Sequence, residues 1–136
     1  MLATIRSYPK TMLAWAAIAL LIMLTHVLLP KALAYDYTAI LLAVIGAIYV
    51  GFALQDGRRS IMIQEFSAAS FFIILAALGL WLSPYLWVLG LFLHGVWDWL
   101  HHPKGIQTKI PAYYPPACVM VDWSVAVFLL IWLSLF

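Results

Sequence analysis

Positions 93 to 102 read Leu93-His94-Gly95-Val96-Trp97-Asp98-Trp99-Leu100-His101-His102, placing three imidazoles and a carboxylate in one short run. On an α-helix each residue turns about 100°. With His94 at zero, Asp98 falls at about +40°, His101 at about −20° and His102 at about +80°, so all four share one arc if the helix continues through His102. Gly90, at about −40°, borders that face and would let a neighbouring helix approach. Glu65 lies in the preceding apolar segment, and Cys118 lies in the following one with Asp122 a turn later. Both segments enter from the same end as His101, so three acids and three histidines converge on one level.

Neutral imidazole and carboxylate together are ligands typical of zinc and non-haem iron. The expected metal ligands are His94, Asp98, His101, His102 and Asp122, around a divalent zinc or iron ion. Glu65 and Asp122 are the expected catalytic acids or bases, or partners that fix imidazole tautomers. An ion with an open position would activate water or polarise a carbonyl or phosphoryl oxygen. Plainer readings compete. Arg58 and Arg59 could clamp Asp98 or Glu65 without a metal, the His101-His102 pair could be a solvated helix end, and His94 could simply hydrogen-bond to Asp122. A proton relay is a further alternative. The metal reading rests on coincidence: one face, one depth, three helices.

The elements that must position these groups follow from composition. Of 136 residues, 67% are hydrophobic and 9% charged, more apolar surface than a soluble domain of this size can hide. A hydrocarbon core of about 30 Å takes about 20 apolar residues as helix. The expectation is an all-α, polytopic membrane protein forming one transmembrane domain over 1–136, with five helices at about 12–29, 38–54, 61–82, 85–102 and 117–136. Arg6, Lys10, Arg58, Arg59, Lys104 and Lys109 then share one side and Lys31 alone the other. The positive-inside rule puts the N-terminus in the cytoplasm and the C-terminus outside. Arg6 and Lys10, then an apolar stretch and Ala32-Leu33-Ala34, resemble a cleavable signal, but the stretch is long for a signal core and an uncleaved first helix is expected.

Other features have structural readings. Trp81, Tyr85 and Trp87 at one level, and Trp97, Trp99, Tyr113 and Tyr114 at the other, are expected to form interfacial belts. Ala43, Gly46, Ala47, Ala69, Ala76 and Gly79 should allow close helix packing. Asp56-Gly57 signals a turn. Pro103, Pro111, Pro115 and Pro116 should keep the last loop irregular, and that loop could fold over the cluster as a lid. Cys118 reads as a packing residue. No phosphate loop and no basic run with interleaved aromatics is present, so nucleic acid is not an expected partner.

The pattern Leu93-His94-x-x-Trp97-Asp98-x-x-His101-His102, followed by prolines, Cys118 and Asp122, resembles a family of small bacterial integral membrane proteins of unknown function with an LHxxWDxxHH motif and a later C-x3-D pair. The resemblance covers roughly Tyr85 to Trp132. It implies that His94, Asp98, His101, His102 and Asp122 belong together; a bacterial cytoplasmic membrane is the expected location. Clustered membrane histidines are also similar to those of fatty-acid hydroxylases and desaturases, which carry more of them, and of alkaline-ceramidase-like hydrolases, which are nearer in ligand count.

Two functions are carried forward. The first is a membrane-embedded metalloenzyme acting on a lipid or isoprenoid at the cytoplasmic leaflet, by hydrolysis or oxidation. The second is a non-catalytic small subunit of a larger respiratory or photosynthetic complex, with His94 or His26 ligating a pigment or haem. A homo-oligomer is compatible with either.

Overall fold

The computed structural model describes residues 1–101 and 105–135, Leu2 by its backbone alone. Among these residues there are six helices and no strand: α1 (Leu2–Ser7), α2 (Pro9–Leu28), α3 (Lys31–Asp56), α4 (Arg59–Trp81), α5 (Tyr85–Leu100) and α6 (Tyr114–Leu135). Four of them, α2, α3, α4 and α6, are long and apolar enough to cross a membrane. α5 has 16 residues, about 24 Å of helix at 1.5 Å per residue. This is the architecture of a multi-pass membrane protein, and its outer faces are correspondingly apolar: Leu13, Leu20, Leu28, Leu54 and Leu135 are all exposed.

The helices begin and end where backbone chemistry allows, sometimes beyond the apolar runs. α3 starts at Lys31 rather than near 38, because Ala32, Leu33 and Ala34 are good helix formers directly after Pro30. Gly57, at φ 76°, closes α3 in the left-handed region that glycine adopts without strain, and its N–H bonds Ala53 O. α6 starts at Tyr114 rather than 117. Pro115 and Pro116 thus occupy its first turn, where their missing N–H groups would have had no helical partner, and they do not extend the loop as expected. α5 stops at Leu100, where the His101 N–H turns back to Asp98 O at 3.0 Å. The helical arc drawn through His102 therefore extends past the observed helix, and residue 102 lies outside the described residues, as does Lys104.

α3 packs along α4 and α5 along α6; α2 closes on α6, and α4 on α5. The shared core contains Leu42, Phe72, Leu75, Trp87, Leu91, Val125 and Leu129. Small residues set the spacing. A Cβ on Gly46 would sit 2.5 Å from Phe72 Cβ, and one on Gly79 would overlap the Trp87 ring. Trp87 is fully buried and donates its indole N–H to Ala76 O at 3.0 Å. It is a core residue rather than a member of an interfacial belt, whereas Trp81, Tyr85 and Trp99 are exposed as a belt requires.

Candidate functional site

The α5–α6 pairing decides the first group. His94 and Asp98 are one turn apart on α5, and Asp122 faces them from α6. His94 Nδ1 lies 2.6 Å from Asp122 Oδ2 in a buried hydrogen bond. The same nitrogen lies 3.3 Å from Asp98 Oδ2, within ion-pair range but with no hydrogen bond formed. A ring nitrogen has one hydrogen or one lone pair to offer, and Asp122 takes it. Among the described residues, three side-chain atoms of this group have no hydrogen-bond partner: His94 Nε2 and both carboxylate oxygens of Asp98. All three residues are buried, and one ligand atom from each can be chosen so that all lie within 4.8 Å of one another. A small cavity of about 40 Å³ adjoins them, lined by His94, Asp122, Tyr114, Cys118 and Trp15 among others. Phe72 presents an edge-to-face contact to the His94 ring at 4.8 Å, sealing the other side.

The charge balance of this group is the consequential point. Two carboxylates face one imidazole in a region where each uncompensated charge costs about 2.5–3.5 kcal/mol. Even a protonated imidazole neutralises only one of them. A further proton or a cation is required, and His94, Asp98 and Asp122 are residues that could hold a metal ion.

Glu65 and His101 form a second group. His101 Nε2 lies 2.8 Å from Glu65 Oε1, and both side chains are fully buried. Thr108 donates to the same oxygen at 2.5 Å, and the Trp97 indole N–H donates to Oε2 at 3.2 Å. His101 Nδ1 lies 2.8 Å from Trp97 O, an acceptor, so this nitrogen carries hydrogen. The Nε2–Oε1 contact therefore holds one proton between base and acid. Both His101 nitrogens are engaged, so this imidazole is not one of the groups gathered around Asp98. Trp97, expected in an interfacial belt, is instead a donor to Glu65.

A third contact fastens the loop over this end of the bundle. Arg58 holds Asp56 through Nε to Oδ1 at 2.6 Å and Nη2 to Oδ2 at 2.8 Å. The Lys109 N–H reaches Asp56 Oδ2 at 3.1 Å, and Arg58 Nη2 also donates to Gln107 O. The hydrogen-bonded Asp56 carboxylate holds the Arg58 guanidinium above its ordinary value, so the pair stays charged at physiological pH. Residues 107, 108 and 109 are thus each tied to α3, α4 or the turn between them, which holds this part of the loop against the Glu65–His101 end of the bundle. Arg58 is occupied with Asp56, and no bond from it to Asp98 or Glu65 forms.

The structure thus brings together His94, Asp98 and Asp122, sets Glu65 with His101 beside them, and places His26 elsewhere. His26 Nδ1 lies 3.0 Å from Thr38 Oγ1, and its ring packs edge-on to Trp132. His102 lies outside the described residues. Sequence reasoning missed Tyr49, whose ring lies 4.4 Å from that of His101 and 6.1 Å from that of His94. It also missed Thr108 and the role of Asp56, although an acid two residues before an arginine across a glycine turn was a usable signal.

The sequence model of a family of unknown function (DUF6010) matches residues 10–133. The match takes in the first two long helices, a wider span than the Tyr85–Trp132 resemblance. No curated protein and no solved structure matches the chain.

Proposed function

The chain belongs to that family of unknown function, and from its own residues we propose that it is a membrane-embedded metal-binding protein, a metalloenzyme that acts on a lipid or isoprenoid. The observation that carries the reading is the buried His94–Asp98–Asp122 group, in which His94 Nε2 and both Asp98 carboxylate oxygens have no hydrogen-bond partner among the described residues. A divalent zinc or iron ion balances the two carboxylates and satisfies the atoms left without partners. When bound, it supplies Lewis acidity or an activated water. The Glu65–His101 pair, holding one proton, is the acid–base partner beside it.

Two cavities suit an amphipathic substrate. An apolar groove of about 520 Å³ runs between α4 and α5, lined by Phe71, Phe72, Leu93, Val96, Trp97 and Leu100. Phe72 and Trp97 separate it from His94 and Glu65, so an acyl or prenyl chain in the groove lies one side chain away from the polar groups. A more polar pocket of about 390 Å³, lined by His101, Thr108, Lys109 and Thr4, opens beneath the 105–113 loop. Space also favours an ion over a macrocycle: the cavity beside His94 is too small for haem or chlorophyll, and His26 is buried.

We further propose that α5 spans with the other four, giving five crossings with the N-terminus, the 56–58 turn and the 101–113 loop cytoplasmic, as the placement of Lys and Arg favours. The site then faces the cytoplasmic leaflet of a bacterial inner membrane.

The enzymatic part is tested by comparing lipid extracts of cells carrying the wild-type chain, the Asp98→Asn variant, or neither. The expected result is one lipid or isoprenoid class that changes with the wild-type chain alone. Identical extracts at matched expression would overturn it.

A further inference from the structure

We propose that the polar pocket and the apolar groove are the two halves of one binding site for a lipid whose headgroup carries phosphate. The head lies in the pocket beneath the 105–113 loop and the tail in the groove between α4 and α5. The inference rests on the lipid part of the reading above and deepens it by naming the headgroup.

The two cavities share one carboxyl group as their wall. Trp97 lines the groove, and its indole N–H donates to Glu65 Oε2 at 3.2 Å. His101 and Thr108 line the pocket, and both reach Glu65 Oε1, at 2.8 and 2.5 Å. Each oxygen of Glu65 thus holds the lining of a different cavity. The end of α5 repeats the division, since Leu100 lines the groove and the next residue, His101, lines the pocket. A lipid laid over this end of the helix brings the junction of head and tail to Leu100 and His101.

Charge selects the head. Among the described residues, no carboxylate lines the pocket, and Lys109 gives its lining a positive charge. Arg58 donates to the carbonyl of Gln107, another lining residue, so an exposed guanidinium stands at the pocket's rim. Against these two cations stands one acid, Asp56, held by Arg58. The Glu65–His101 pair shares one proton and is neutral as a unit. Tyr8 packs on Tyr113 with ring centroids 5.7 Å apart, which brings the chain between Arg6 and Lys10 to the same loop. The field at this end therefore favours an anion, and a phosphate offers oxygens that accept from the Lys109 ammonium and the Gln107 amide. A basic rim at the headgroup level draws anionic lipids rather than neutral ones.

The test uses the purified full chain in dodecyl maltoside, with native mass spectrometry counting the molecules that stay bound. Three probes are titrated: oleoyl lysophosphatidate, monooleoylglycerol, which is the same molecule without phosphate, and glycerol phosphate, which is the head alone. The expected result is one lysophosphatidate per chain, bound about tenfold or more tighter than monooleoylglycerol, as charge-assisted hydrogen bonds to phosphate require. Lys109→Gln, which keeps the backbone N–H on Asp56, should remove most of that preference. Ala68→Phe, which fills the groove, should weaken both oleoyl compounds alike. Equal affinity for the two oleoyl compounds, a comparison needing no variant, would overturn the inference. So would lysophosphatidate binding that neither substitution changes, or binding of none of the three probes. Glycerol phosphate bound as tightly as lysophosphatidate would make the pocket a site for free phosphates and overturn the lipid assignment. Lipid extracts that still change with the wild-type chain would, in each of these cases, leave the enzymatic reading standing.

Discussion

Glu65 accepts from Thr108 and Trp97 and shares one proton with His101, which is why an acidic side chain on an apolar helix is tolerated. Thr108→Val keeps the shape but removes one donor. It should destabilise the protein by about 1.5–3 kcal/mol, the usual worth of a hydrogen bond to a charged group, measured by denaturant unfolding in detergent; an unchanged midpoint would contradict the bond. At this scale the sequence showed what shares a helix face. His94 and Asp98 are four apart, so their meeting was legible from spacing alone. Thr108 and Glu65 are 43 residues apart, and the pairing depends on a loop path that no periodicity encodes. Tyr49 was hidden differently: in an apolar run, nothing marks the one phenol whose ring lies against His101. The expectation that His101 would join His94 came from treating one face as one site. The face is shared, but Glu65 on α4 takes His101 while Asp122 on α6 takes His94.

Helix ends and helix contacts follow local rules that the chain mostly displays. The Asp56-Gly57 turn forms as its residues dictate, and α6 absorbs two prolines into its first turn, which a reading of proline as a loop residue overlooked. Arg58 joins the α3–α4 turn to the 105–113 loop, so Arg58→Ala should leave the helices intact and speed amide exchange in residues 105–113. Hydrogen exchange read by mass spectrometry checks this, and equal exchange in both proteins would mean the loop holds itself. At Gly79 the α4 backbone runs so close to the Trp87 ring that a Cβ would overlap it. Gly79→Ala forces that indole to move and breaks its bond to Ala76 O, so the melting temperature should fall, by the equivalent of about 1–3 kcal/mol for an overpacked core. Exposed Gly51, with open space where a Cβ would stand, is the control and should be neutral or better as Ala.

For the molecule as a whole, composition alone gave the class. The apolar runs expected at about 12–29, 38–54, 61–82 and 117–136 appear as the long helices α2, α3, α4 and α6. α5 was the hard case, because the polar residues that make the site also shorten its apolar run. A reporter active only outside the cytoplasm, inserted in the 82–84 turn or fused after residue 135, should be active at both places, and inactive when inserted at Gly57. Activity at Gly57 would invert the proposed orientation, and opposite results at 82–84 and 135 would mean that α5 and α6 do not both cross. The buried group of His94, Asp98 and Asp122 is the feature on which the functional account turns. Metal content by inductively coupled plasma mass spectrometry, on tag-free protein never exposed to chelator, tests it most directly. The account predicts near one zinc or iron per chain, lost in His94→Ala and Asp98→Asn. No metal above background in the folded wild-type protein would contradict it.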